Sequence, residues 1–268
     1  MNINKKDISV IVPCFNCSKV IEKTLDSIVR QKSSDFIYEI IAIDDGSTDD
    51  TFNVLKNFSI NQNIKIRILR TSNRGVSAAR NLGISSAKTK WVALCDSDDI
   101  WLQNKLEIQT KIINANDDID FLGGNHTKKI QKFFLKKIDR LYKINLSFLC
   151  FKMLPQTSTA IFKKRIFEEI GGYDEKQTHA EDGNFFMKIC SKYGYYYSPE
   201  TVVYYGNGKR GFGETGLSAN TKLMHLGIKK NLDEIYKNKL IDSRLHFVAT
   251  CFENFKYMIR LIRVFLTL

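Results

Sequence analysis

The chain has 268 residues, 43% hydrophobic and 26% charged, with a formal net charge of +12 and a pI near 9.3. This composition excludes a disordered chain, and no internal repeat or long low-complexity segment stands out. The basic excess asks for an anionic partner; nucleotide, nucleic acid and anionic lipid surface all qualify, and charge alone does not choose among them.

The length suits one large α/β domain or an ordinary domain with an appendage, and the second is favoured. The start, "MNINKKDISVIVP", passes into a β-like run without the apolar core and cleavage site of a signal peptide, so it reads as cytoplasmic. Six cysteines (Cys14, Cys17, Cys95, Cys150, Cys190, Cys251) have scattered spacings that make no disulfide framework, in keeping with a reducing compartment.

Four apolar runs come first in chain order: "ISVIVP", "YEIIAI", "IKIRIL" and "KWVALC". Between them lie segments of helical period: "KVIEKTLDSIVRQ", with Val20, Ile21, Leu25 and Ile28 on one face, then "DDTFNVLKNF" and "VSAARNLGISSA". Strands alternating with helices predict a parallel sheet with crossover helices over roughly residues 7 to 100. In such sheets ligands collect at the carboxyl ends of the strands. The polar clusters "PCFN", "DDGSTDD" and "DSDD" follow three of these strands and should converge on one crevice.

Residues 115 to 155, with the basic "KKIQKFFLKKIDRLYK", read as helix or extended loop. Beyond them "TSTAIF" is a strand candidate, followed by the helical "KKRIFEEIGG" and "EDGNFFMKICSKYG" and the strand-like "TVVYY". After the glycine-rich "GNGKRGFGETG" the chain reads as helical to its end. A boundary near residue 215 therefore separates a larger α/β domain, 1–215, from a helical region, 216–268.

Each polar motif has a plain reading beside a chemical one. Ser47, Thr48 and Asp49 suit a turn and helix cap, while Asp44 at a strand end suits a hydrogen bond to a nucleotide base. Asp98 and Asp99 would suit the dipole of a helix starting at "IWLQNKL". One acid satisfies a cap, however, and three crowded carboxylates, Asp96, Asp98 and Asp99, ask for a cation. "CFNC" has the spacing of a redox pair, but a thiol oxidoreductase leaves "DSDD" and "AED" unexplained. "GNGKRG" fits the dinucleotide pattern but lies too late in the chain for a Rossmann unit. The C-terminal "FENFKYMIRLIRVFLTL" is interrupted by charge too often to span a membrane. Its Lys256, Arg260 and Arg263 form one basic stripe, on a core helix or against an anionic membrane surface.

Five motifs, "VIVPCFN", "DDGSTDDT", "NRGVSAARNLGI", "DSDD" and "TSTAIFKKRIFEEIGGYDEKQTHAED", stand in an order and spacing that resemble glycosyltransferase family 2 over about residues 7 to 205. The resemblance implies an α/β GT-A fold, a Rossmann-like and mostly parallel sheet flanked by helices. It implies an inverting transfer from a nucleotide-diphosphate sugar, usually a UDP-sugar, and makes 1–215 the catalytic domain, with a nucleotide-sugar half over about 1–115 and an acceptor half over about 116–215. By that analogy Pro13, Phe15 and Asp44 line the base pocket, Asp96 lies near the ribose, and Asp98 reaches Mn²⁺ or Mg²⁺ on the diphosphate. Asp99 becomes a helix cap or supporting partner. Asp182 becomes the general base, with Glu181 as the alternative, and Lys209 and Arg210 close over the donor phosphates. The implied partners are the donor and a glycan or lipid-linked acceptor, as in bacterial surface-polysaccharide or lipopolysaccharide synthesis, and no nucleic acid. A non-catalytic nucleotide-sugar-binding protein is the remaining alternative, against which Asp98 and Asp182 argue.

Overall fold

In the computed structural model the described residues are 2–60, 62–206 and 219–267, with side chains described as far as Arg263. The first half alternates as its periodicity predicts: β1 (Ile8–Cys14), α1 (Ile21–Val29), β2 (Ile37–Asp45), α2 (Thr51–Ser59), β3 (Lys65–Thr71), α3 (Val76–Ser86) and β4 (Trp91–Leu94). Strands β1, β2 and β4 are buried on both faces, which is why they read as continuous apolar runs, whereas β3 at the sheet edge is half-buried and carries Lys65, Arg67 and Arg70 among its apolar residues. Successive side chains serve opposite cores: Ile11, Ile41, Ile43, Val92 and Leu94 pack on one side, Val10, Val12, Ile40, Ala42 and Ala93 on the other.

After β5 (Ile100–Trp101) and α4 (Lys105–Asn114), β6 (Phe121–Asn125) re-enters the sheet. The small strands β7 (Lys132–Phe133), β8 (Lys136–Lys137) and β9 (Tyr142–Lys143) precede α5 (Leu146–Phe151). Then come β10 (Ile161–Lys163), α6 (Lys164–Ile170), α7 (Glu181–Cys190), β11 (Tyr195–Thr201) and β12 (Val203–Tyr204). The eight-stranded sheet has the order β3-β2-β1-β4-β10-β6-β11-β9. Strands β3, β2, β1 and β4 are parallel, while β10 runs antiparallel to both its neighbours. Because β2 and β3 lie on one side of β1 and β4 on the other, the order reverses at β1, where an open α/β sheet forms its ligand crevice.

Three expectations change here. "TSTAIF" is not one strand: Thr157–Thr159 form a 3-10 turn and only Ile161–Lys163 enter the sheet. The main-sheet strand near "TVVYY" is the preceding tyrosine run, Tyr195–Thr201, whereas Val203 and Tyr204 pair with Trp101 and Ile100. That pairing pulls residues 100–101 out of the helix expected there, so α4 begins at Lys105.

The C-terminal helices α8 (Thr221–Lys237) and α9 (Ser243–Thr267) pack on each other, α8 also on α7 and α9 on α5. Leu232, Ile235 and Ala249 share the core of Phe162, Phe185 and Tyr195. No helix among the described residues is long and apolar enough to cross a membrane. The basic stripe read on α9 does not face outward as a unit. Lys256 lies 2.8 Å and Arg260 3.0 Å from the buried Glu253, and Lys256 also donates to the Phe151 carbonyl. These two charges are turned against the body because Glu253, fully buried, needs counter-charges.

Candidate active site

The crevice is built from strand ends. Cys14 at the end of β1 is in register with Asp44 at the end of β2. Asp44 is fully buried, and its Oδ1 accepts the Ser47 backbone N–H at 3.1 Å. Its Oδ2 lies 3.1 Å from Arg70 Nε, within ion-pair reach but off the line of a hydrogen bond, and has no hydrogen-bond partner among the described residues. Pro13 is buried within β1 opposite Ile43, while Phe15 just beyond it is 46% exposed. Asn16, at φ +48°, accepts backbone N–H groups of Thr48 and Asp49 and ties this turn to the next. Ser47, Thr48 and Asp49 are thus turn residues: Asp49 accepts hydrogen bonds from Thr51 and Ser18. Cys14 and Cys17 are buried free thiols.

The neighbouring Asp45 escaped the sequence reading. Its Oδ1 accepts Thr71 Oγ1 at 2.7 Å and Arg74 N at 2.9 Å, and its Oδ2 accepts Gly75 N at 2.7 Å. One carboxylate therefore fixes the turn that launches α3. That helix presents Arg80, also missed, whose side chain is only 4% exposed. Arg80 Nη2 lies 2.8 Å from Asp96 Oδ1; its Nη1 lies 2.8 Å from Asp182 Oδ1 and 3.1 Å from Glu181 Oε1. The planar guanidinium fork suits three carboxylates arriving from two directions, as a single ammonium would not. A signal existed: Arg80 sits on the buried face of α3, with Ser77, Gly83 and Ile84 at helical spacing.

Thr157 donates to Asp182 Oδ2 at 2.6 Å, and Ser158 Oγ accepts the Asp96 N–H at 2.8 Å. Asp182 and Asp96 keep 30% and 26% side-chain exposure, against 7% for Glu181. Burial pushes the Asp182 carboxyl up to about 6, with Glu181 adding to the rise and Arg80 and Thr157 opposing it. Asp96 is raised by burial and by the Asp182 charge, again against Arg80. Ala180, just before the pair, holds φ +56°, a conformation non-glycine residues seldom adopt. Helix α8 braces it: Asn231 donates to the Ala180 carbonyl at 2.8 Å, and a Cβ at Gly227 would stand 2.2 Å from the His179 carbonyl oxygen.

Of the two roles expected for Asp99, the structure gives that of supporting partner and not helix cap, because the β5–β12 pair intervenes before α4. Fully buried, it accepts Ser158 Oγ at 2.5 Å, Gln156 Nε2 at 2.8 Å and the Gly206 N–H at 2.6 Å. Burial and the nearby Asp96 charge raise it to about 7. Asp98 lies between them, half-buried. Among the described residues no three His, Cys, Asp or Glu side chains are grouped to hold a metal ion. Burial nonetheless raises Asp96, Asp99 and Asp182, and the side-chain atoms that this acidic loop offers a ligand are oxygens. That set fits a hard divalent cation held by one carboxylate, with waters and phosphate oxygens completing its shell. The structure thus brings Asp96, Glu181 and Asp182 together, with Asp98 in the adjoining loop and Asp44 and Phe15 at the β1 and β2 ends. Lys209 and Arg210 lie outside the described residues.

Comparison with known proteins places this geometry. The chain is 35% identical over 121 residues to the Escherichia coli UDP-Glc:alpha-D-GlcNAc-diphosphoundecaprenol beta-1,3-glucosyltransferase WfgD, covering 44% of this chain and 45% of that protein. An uncharacterized glycosyltransferase of Rickettsia felis is 38% identical over 190 residues, covering 69% of this chain and 30% of the relative. The matched region spans between 16% and 64% of the length of three Rickettsia relatives, this one included. Among solved structures, S. aureus TarS 1-349 in complex with UDP-GlcNAc superposes with a TM-score of 0.67 at 23% identity, covering 85% of this chain and 66% of that one. The mannosyltransferase PcManGT of Pyrobaculum calidifontis, in complex with GDP-Man and Mn²⁺, gives 0.68 at 21% identity, covering 87% and 65%. These likenesses bear out the GT-A architecture. A sequence model of Glycosyl transferase family 2 matches residues 9–173, well over half the chain, and on strand order, motif placement and this match the protein belongs to that family.

Proposed function

We propose that the protein is an inverting glycosyltransferase that moves a sugar from a nucleotide diphosphate, most simply a UDP-sugar, to a hydroxyl of a glycan or lipid-linked acceptor. The role best suited to it is cell-surface polysaccharide or lipopolysaccharide synthesis, at the inner face of a membrane. The observation that carries this reading is the convergence of Asp96, Glu181 and Asp182 on the buried Arg80 at the carboxyl ends of the strands. UDP as the nucleotide is supported by the names of WfgD and the TarS complex.

Phe15 and Pro13 flank the base, and the unsatisfied Asp44 Oδ2 accepts its N–H. Asp96, held by Arg80, faces the ribose. Asp98 holds Mn²⁺ or Mg²⁺, which when bound supplies positive charge to the diphosphate. Lys209 and Arg210 are assigned to the same phosphates from their place in the chain.

Asp182 is the base, and its greater exposure favours it over Glu181. Thr157 and Arg80 each hold one of its oxygens, leaving further lone pairs to accept a proton. As the acceptor oxygen attacks the anomeric carbon, its proton passes to Asp182. The new C–O bond forms opposite the bond to the diphosphate, which leaves with its electron pair, so an α-donor gives a β-linkage. The sequence lacks a QxxRW-like processivity signature, which favours addition of single sugars.

A panel of UDP-, GDP- and TDP-sugars, incubated with Mn²⁺ and with lipid-diphosphate-linked or soluble glycan acceptors, tests the reading. It expects one nucleotide class to be consumed only when metal is present. Release of no nucleotide from any donor would sink it.

A further inference from the structure

We propose that the β7–β8 hairpin, with the outward face of α9, is an anchor that inserts an apolar tip into an anionic lipid bilayer. Phe133 pairs with Lys136, so Phe134 and Leu135 form the two-residue turn. Such turns ordinarily use Asn, Asp or Gly, which tolerate positive φ and face water. Here both residues are large and apolar, and Phe134 adopts φ +51°. Leu135 is 99% exposed and Phe134 63%, so packing within the chain does not account for Leu135.

The charge on the hairpin itself has one sign, and the nearest carboxylate along the chain, the exposed Asp139, is followed by Arg140. From Lys128 to Ile138 the sequence carries five lysines, Lys128, Lys129, Lys132, Lys136 and Lys137, and no carboxylate; all five are exposed. The Phe134 ring lies 6.2 Å from that of Phe252 on α9, joining the hairpin to the helix. One turn to either side of Phe252, Val248 and Phe255 are 52% and 59% exposed, and the apolar face continues through Met258 and Ile262. Apolar side chains ringed by lysines suit the boundary of a bilayer, where the rings and aliphatic groups enter the acyl region and the ammonium groups meet anionic headgroups. A second copy of the chain is a poor occupant, since it would bring the same lysines and another +12 charge against the tip.

The placement connects the anchor to the crevice. Strand β6 ends at Asn125, and the next residue, His126, meets Tyr205 edge-on at 5.6 Å. Gly206, adjoining Tyr205, donates its N–H to Asp99. The hairpin thus hangs from a strand end that touches the acidic loop. If the transferase reading holds, a lipid-linked acceptor would be presented beside the donor site.

The test is co-sedimentation of the full chain at low salt with phosphatidylcholine vesicles, with and without phosphatidylglycerol, and needs neither donor nor acceptor. Its failure is therefore separable from that of the transferase reading. The parent is expected to pellet with the phosphatidylglycerol vesicles. Leu135→Ser should weaken that partitioning about tenfold. The pair Lys136→Gln, Lys137→Gln should weaken it roughly fivefold per lysine. Both variants alter exposed side chains and should melt as the parent does. A parent that stays in the supernatant, variants that pellet like the parent, or equal pelleting with neutral vesicles would overturn the proposal. So would self-association of the parent, lost in Leu135→Ser, without vesicle binding.

Discussion

Arg80 faces three carboxylates, and removing it would leave Asp96, Glu181 and Asp182 crowded together without a counter-charge. Breaking a buried ion pair from one side costs about 3–5 kcal/mol. Arg80→Met should therefore lower the urea midpoint by a corresponding amount at neutral pH, and an unchanged midpoint would show that the acids are held by other means. Asp182 offers the sharper kinetic test. Asp182→Asn keeps the size and, with its carbonyl oxygen turned to Arg80, its NH₂ can donate to the Thr157 hydroxyl, but it cannot take the acceptor's proton. Turnover should fall by about 10²- to 10⁴-fold, roughly 3 to 5 kcal/mol of barrier. Because burial raises this carboxyl to about 6, the parent's turnover should decline as pH falls through about 6, where the base becomes protonated. The residual rate of Asp182→Asn should lack that limb. Glu181→Gln should keep it, and a larger loss there would move the base by one residue.

At the scale of elements, α3 delivers Arg80 because the helix lies close on the sheet at Gly83. A Cβ there would stand 2.5 Å from Ile11 Cγ2 and 2.7 Å from Ile43 Cδ1. Gly83→Ala should therefore cost about 1–3 kcal/mol through overpacking and shift the guanidinium one turn away. Chemical denaturation alongside donor turnover reads both effects, and a variant as stable and active as the parent would contradict the close approach. Strands β1, β2 and β4 were legible because a strand buried on both faces leaves an uninterrupted apolar run, and the edge strand β3 because its isoleucines alternate with charged residues. Asp99 kept a helix-cap reading beside that of supporting partner because aspartates before an apolar segment look like a helix start, and only the second role holds. The pairing of Ile100 and Trp101 with Tyr204 and Val203 reaches across about a hundred residues and leaves no local mark. Arg80 carried a local mark, a charge on the apolar face of α3, but its partners Glu181 and Asp182 lie about a hundred positions away and no local pattern names them. The lysine-rich hairpin, read as helix or extended loop, was ambiguous because "KKIQKFFLKKIDRLYK" keeps neither a helical nor a strand period.

For the whole molecule, the sheet, its two cores and the C-terminal helices support one crevice. The α8 contacts through Asn231 and Gly227 hold the segment before Asp182, and α9 packs on α8 with Ala249 and Glu253 buried. Removing residues 246–268 should thus destabilise the protein and reduce turnover even on a soluble acceptor, as thermal melting and a transfer assay would register. A truncated chain that melts like the parent would make α9 an independent appendage. The central claim is that the strand ends form a metal-assisted nucleotide-diphosphate site separable from the base. Calorimetric titration of UDP, with and without Mn²⁺, into the parent, Asp98→Ala and Asp182→Asn tests it most directly. The parent and Asp182→Asn should bind UDP comparably and only with Mn²⁺ present, while Asp98→Ala should lose the metal-dependent binding. Equal Mn²⁺-dependent affinity in Asp98→Ala, or its loss in Asp182→Asn, would contradict the account.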